Sequence, residues 1–308
     1  MTSVVTPAPP VPVTPTAPGR RRSVRAIVRM IWSSPAGKAG ACILIGFSAV
    51  AIFAPFLAPY DPTARVAASF THPNGQHWLG TNDIGQDILS ELVHGARISL
   101  GVAVLVSCIG TAVACLVGIP AGYSRGRWGA VLMRFVDVVL VLPFLPLLLL
   151  VAALFGPRLH TQILVIGLLL WARPARVLRA ATLAVRSAGH IEAAVWMGGS
   201  SAYIIRRHVI PRIAPIIVAE FVRVANVAIL LEASLAFLGL GDPVAKSWGT
   251  MLHYAYARAA FLTGAWLWWV VPPGLCIAAV VMGFALLGYS LEQGTDPRLR
   301  RKGWLGTS

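Results

Sequence analysis

The chain has 308 residues, 57% of them hydrophobic and only 12% charged, with a formal net charge of +15. Soluble domains carry about a quarter charged residues, so the composition excludes a soluble globular protein and points to one built for a bilayer. The basic excess does not point to nucleic acid, because the arginines cluster beside apolar runs, as topology determinants do.

Residues 1–19, MTSVVTPAPPVPVTPTAPG, are uncharged and rich in Pro, Thr and Val. That composition neither nucleates a helix nor packs a core, so it reads as a disordered tail. A basic segment with Arg20, Arg21, Arg22, Arg25 and Arg29 follows it to residue 34, and a membrane-embedded body is expected over 35–302 with a tail at 303–308. Ala39–Tyr60 is charge-free for 22 residues. This exceeds the roughly 7–15-residue apolar core of a secretory signal and matches the roughly 20 residues that cross a bilayer, so a retained first span is predicted at 39–60.

Residues 61–96 are mixed and polar. Asp83 followed by Gln86 predicts a capping pair, opening a short interfacial helix with Ile84, Ile88, Leu89, Leu92 and Val93 on one face. Span two is predicted at 98–122 and span three at 131–157, where Pro143 and Pro146 are tolerable because neighbouring helices satisfy the freed carbonyls. Only 14 residues separate Arg158 from Arg173, about 21 Å of helix against a core of about 30 Å. The fourth span, 160–180, therefore runs past Arg173 and Arg176, whose long side chains snorkel to the interface.

Span five is predicted at 213–238, carrying Glu220, Arg223 and Glu232, and span six at 266–291, with Trp266, Trp268 and Trp269 as an interfacial belt. Six spans place both termini on one side. That side collects Arg20–Arg29, Lys38, Arg125, Arg127, seven arginines from Arg173 to Arg212, and Arg298, Arg300, Arg301 and Lys302. The opposite loops hold only Arg65, Arg97, Arg158, Lys246 and Arg258. Positive charge stays inside, so the termini and the segment 186–212 are expected in the cytoplasm.

That segment contains EAAVWMGGSSAYIIRRHVIP, residues 192–211. Glu192 suits a helix N-terminus, and Ala193 and Ala194 are helix formers small enough for close approach. Gly198 and Gly199 permit a sharp bend, Tyr203 starts a second short helix, and Pro211 stops it before span five. From spacing alone it is either a docking element or a plain linker.

The pattern resembles the EAA loop of ATP-binding-cassette importer permeases through Glu192, Ala193, Ala194, Gly198, Ile210 and Pro211, with His208 where the usual isoleucine stands. HWLGTNDIGQDILSELVHGARISL (77–100), LEASLAFLGLGDPVAKSWGTML (231–252) and DPRLR (296–300) are similar to the second permease subunit of dipeptide, oligopeptide and nickel importers. Together the blocks cover about residues 35–302. The resemblance implies an all-α integral membrane protein of the type I importer permease fold, with six transmembrane helices and a cytoplasmic coupling helix in the bacterial cell membrane. It also implies the partners: a second related permease, two ATPase subunits and an extracytoplasmic binding protein. No G-x-x-x-x-G-K-[ST] occurs in the chain, so ATP and Mg belong to the partner ATPases and no cofactor is expected here. Glu192, Ala193, Ala194, Gly198, Tyr203 and Pro211 are the expected coupling residues. Short peptides are the substrate the resemblance favours, with nickel chelates, glutathione or haem as alternatives.

A secondary carrier is the rival from another class, and it would work through intramembrane charges. Arg134 with Asp137, and Glu220 with Arg223, are spaced as helix ion pairs. Glu232 lacks such a neighbour and is expected either to line the path or to bond another subunit. Asp83, Gln86, Asp87 and Trp248, in the two outer regions, are the candidates for binding-protein docking. Cys42, Cys108, Cys115 and Cys276 form no C-x-x-C pair and read as packing residues. His77 and His94 read as surface histidines, with a nickel-ligand role as the alternative, and neither H-E-x-x-H nor G-x-S-x-G is present. No metal site and no enzyme chemistry are expected.

Overall fold

A computed structural model describes residues 20–124, 126–258 and 260–295. The Pro-rich tail, Arg125, the DPRLR block and the closing residues lie outside the described set, as do the side chains of Arg20–Arg25 and Glu192. Among the described residues the structure is helical, with one isolated β-bridge between Thr81 and Asp87.

Helix α1 (Arg20–Ser33) meets α2 (Pro35–Ile52) at Ser34, whose Oγ caps α2 by accepting from the Gly37 amide, with Pro35 at the first position. Ser34 Oγ also donates to Ser290 Oγ, which donates to the Met30 carbonyl, tying the N-terminal helices to the last one. After the single turn α3 (Ala54–Leu57), the chain is irregular to residue 87.

Helix α4 (Ile88–Tyr123) has 36 residues, about 54 Å of rise, so it outruns a bilayer core. No separate interfacial helix precedes it. Asp87, rather than Asp83, is the cap: its Oδ2 accepts from the Ser90 amide at 2.9 Å. Residues 82–85 instead form a tight turn through Gly85, at φ 82°.

The third predicted span is bent. Helices α5 (Arg127–Val141) and α6 (Phe144–Phe155) are separated by Leu142–Pro143 and bend by 80°. Proline disfavours the helical conformation for the residue before it, and Leu142 sits at ψ 136° accordingly. Helix α7 (Leu159–Leu170) continues through Trp171, itself in the right-handed helical region, into α8 (Ala172–Arg186).

Helix α9 (Gly189–Trp196) and the short α10 (Ser201–Ile204) follow. A π-helical turn over 205–209 then leads without a stop into α11 (Ile210–Leu235). Pro211 is therefore not a terminator. It closely follows the π-turn, whose widened backbone accommodates its ring. A second π-turn (236–240) leads to α12 (Trp248–Ala257), α13 (Trp266–Trp269) and α14 (Val271–Thr295).

Among the described residues four helices are long and apolar enough to cross a membrane, and the bent α5–α6 pair makes a fifth if it forms one span. The fourth expected span, 160–180, falls on α7–α8, whose apolar part is the 12 residues of α7. Helix α4 is the spine of the packing. A Cβ on Gly118 would strike the Ala175 carbonyl of α8, and one on Gly122 would lie 2.6 Å from the Arg179 carbonyl. Without hydrophobic drive between helices in lipid, such backbone contact is what holds a pair together.

Candidate functional site

The segment after α8 folds into a helix, a glycine turn and a second helix, set at the ends of α4 and α11. Its inner face is built by Ile191 and Ala194 of α9 with Ile204 and Val209, packed on Ile119 of α4 and Ile213 of α11. These six residues are buried. Ala193 is exposed while Ala194 is 6% exposed, so the two alanines divide between the outer and inner faces. Gly198 sits at φ 81° with nothing near its Cβ position, so backbone conformation and not space is what calls for glycine there. Ser200 Oγ accepts from the Tyr203 amide and restarts the chain as α10.

At the tip, Trp196 is 89% and Met197 81% exposed, with Val195 and Tyr203 half exposed beside them. This apolar tip is absent from the sequence expectation, although bulky apolar residues immediately before a Gly-Gly turn are the signal that could have found it. Behind α9 lies a cleft of about 430 Å³ lined by Pro120, Tyr123, Ile191, Val195 and Ile205. Arg186 bridges its edge, donating to the Ser124 carbonyl at 3.3 Å and standing 6.0 Å from the Tyr123 ring centre.

The residues expected to dock an outside partner turn out to be interior, which is a correction. Gln86, Asp87 and Trp248 are buried, and Asp83 is mostly so. An irregular segment needs side chains to satisfy its backbone, and that is how they are used. Asn82 Oδ1 accepts from the Ile84 and Gln86 amides, Gln86 Nε2 donates to the Thr63 carbonyl, and the Trp248 indole N–H donates to the Leu92 carbonyl. Asp87 caps α4 and also pairs with His77 at 3.0 Å. His77 is thus a buried structural histidine, not a surface one. Among the described residues no group of three metal-binding side chains occurs.

Two further polar clusters were not legible from spacing. Lys246 bridges Glu91 and Gln86, and Asn82 donates to the same two acceptors. Asp242, just beyond α11 and its π-turn, caps the start of α7 by accepting from the Leu159 amide. Burial alone would raise its carboxyl, but amides of Leu159, Val244 and Ala245 together hold it below the usual carboxylate range.

Of the span-five acids, Glu220 pairs with Arg223 at 3.6 Å as expected, and Arg223 also binds Glu292 of α14. Asp137 takes Arg176 of α8 rather than Arg134, because helix contact brings a better-placed cation than the helix itself supplies. Glu232 is 1% exposed, with Ser247 within hydrogen-bonding reach, so it lies inside this chain's own packing.

Residues 114–301 match the family described as binding-protein-dependent transport system inner membrane component, and residues 25–76 match the N-terminal TM domain of oligopeptide transport permease C. The chain is 32% identical to a dipeptide transport system permease protein of Bacillus subtilis, over 89% of this chain and 85% of that one. It is 34% identical to a di/tripeptide transport system permease protein of Pseudomonas aeruginosa, over 89% and 93% of the two chains. A probable D,D-dipeptide transport system permease protein of Escherichia coli is 31% identical, over 88% and 91%.

Proposed function

Because the chain belongs to the binding-protein-dependent transport system inner membrane components, we propose that it forms half of the translocation pathway of an ATP-driven importer of short peptides. A second, related permease supplies the other half. Two ATP-binding-cassette ATPases hold ATP and Mg and do the hydrolysis, and an extracytoplasmic binding protein delivers the cargo. Peptide cargo is supported by the names of the relatives, each a dipeptide or di/tripeptide permease. The bias of arginines toward one set of loops supports a cell-membrane protein with both termini and residues 186–212 in the cytoplasm.

The observation that carries the coupling role is the geometry of α9. One face presents Trp196 and Met197 to solvent, while the other is packed on α4 and α11. An ATPase cleft closing on that tip moves the inner core as a unit, because a close-packed cluster transmits displacement rather than absorbing it. Tilting of α4 and α11 then switches the path from inward- to outward-facing. A carrier driven by intramembrane acids is not favoured: Asp137 and Glu220 are paired with arginines and Glu232 is enclosed.

The test is a pull-down of the tagged protein in detergent, comparing wild type with Gly198→Asp. Copurification of ATPase subunits with wild type, and their loss or uncoupled hydrolysis in the variant, is the expected result. A wild-type protein that assembles with no ATPase sinks the reading.

A further inference from the structure

Helix α1 carries five arginines and no acid among its 14 residues. Its Ile27 and Ile31 are half-buried against the hydrophobic core. Val28 and Trp32, one turn apart, remain uncovered at 48% and 51% exposure, and Arg29 is exposed beside them. Among the described residues no carboxylate pairs with Arg29. Glu292, near the end of α14, is bound by Arg223.

The helix does not continue the line of α2. Ser34 sits at ψ 144°, and a Cβ on Gly37 would strike the Ile31 carbonyl, so the chain turns a sharp corner between the two helices. Helix α1 then packs on α11 and on the last turns of α14. There Ser290 donates to the Met30 carbonyl, and a Cβ on Gly294 would run into the Met30 side chain. Since α2 and α14 are both apolar enough to cross a bilayer, a helix lodged where one begins and the other ends lies at the bilayer surface.

That position explains the mixed character of the free side. Water alone would leave Val28 and Trp32 wet, and a neutral surface would leave the arginines without counter-charge. The zone between acyl chains and anionic headgroups satisfies both, because it anchors an indole and attracts basic residues.

We propose that α1 is a docking surface for anionic phospholipid of the cytoplasmic leaflet. Val28 and Trp32 enter the acyl boundary, Arg29 meets the headgroups, and the positive charge at positions 20, 21, 22 and 25 adds to the attraction. The choice of leaflet rests on the topology proposed above.

The experiment uses the assembled transporter in mixed vesicles of phosphatidylcholine and phosphatidylglycerol, with one lipid or the other brominated to quench tryptophan. The share of emission from Trp32 is the wild-type signal less that of Trp32→Phe. Phosphatidylglycerol is expected to be preferred at Trp32 by at least about fivefold, the scale of one arginine near an anionic surface. Replacing Arg20, Arg21, Arg22 and Arg25 together by glutamine should bring the preference close to one, and replacing them by lysine should keep it. Equal quenching by the two lipids in wild type overturns the proposal. Quenching by neither, which means that a partner subunit covers this side of α1, overturns it too. ATP-driven dipeptide uptake is followed in the same vesicles. Its absence from wild type would sink the importer reading, while the lipid preference is read from quenching alone.

Discussion

Replacing Trp196 by alanine separates a docking tip from a packing residue. Trp196 is 89% exposed in the free chain, so its removal takes almost nothing from the permease's own packing. Surface changes of this kind stay within about 0.5 kcal/mol of stability. Covered by a partner, the same side chain loses most of an area of about 150–250 Å² from water, or about 3–6 kcal/mol at 25 cal/mol per Å². Ordering and imperfect fit consume part of that gain. A net loss of about 2 kcal/mol on truncation, the lower bound for an anchor residue, weakens ATPase binding roughly thirtyfold. The assay is binding of ATPase subunits to the detergent-solubilised permease pair, alongside thermal unfolding of the permease pair alone. Unchanged ATPase affinity, or a large drop in thermal stability without loss of binding, would refute the docking-tip reasoning.

Other expectations follow from the same geometry. Lys246→Met strands Glu91 in a buried position and costs about 3–5 kcal/mol in detergent unfolding, and adding Glu91→Gln recovers most of it. Gly118→Ala drives a methyl into the Ala175 carbonyl and destabilises by about 1–3 kcal/mol, without altering ATPase binding to any intact protein. Asp242 is held below the usual carboxylate range by backbone amides, so its contribution is present above about pH 4, where the unfolded carboxyl ionises, and fades as pH falls through its lower folded value. Hydrogen exchange at Leu159 is expected to quicken in that acid window, and in Asp242→Asn the exchange should be fast at neutral pH as well.

Length and absence of charge mark long apolar helices, and the structure places such helices at 35–52 and 88–123 where 39–60 and 98–122 were expected. The glycine turn at 198 was legible too, since few other residues adopt its backbone. What the sequence hid were choices made by tertiary contact. Asp83 and Asp87 offer equally good caps, and the buried His77 selects Asp87. Asp137 sits three residues from Arg134, but α8 brings Arg176 to it from 39 residues away. Pro143 and Pro146 were expected to be tolerated within the third span, and the structure bends the chain by 80° there. The outer polar residues looked like docking points because exposure is the usual fate of Gln and Asp. Here a buried irregular segment consumes them as backbone partners.

The most direct test of the central claim is uptake of labelled dipeptide by proteoliposomes holding the assembled complex, energised either by ATP or by an ion gradient. The account predicts uptake only with ATP and the binding protein present, and hydrolysis without uptake, or no assembly, for Gly198→Asp. Uptake driven by the gradient alone, with ATP absent and the variant as active as wild type, would contradict it.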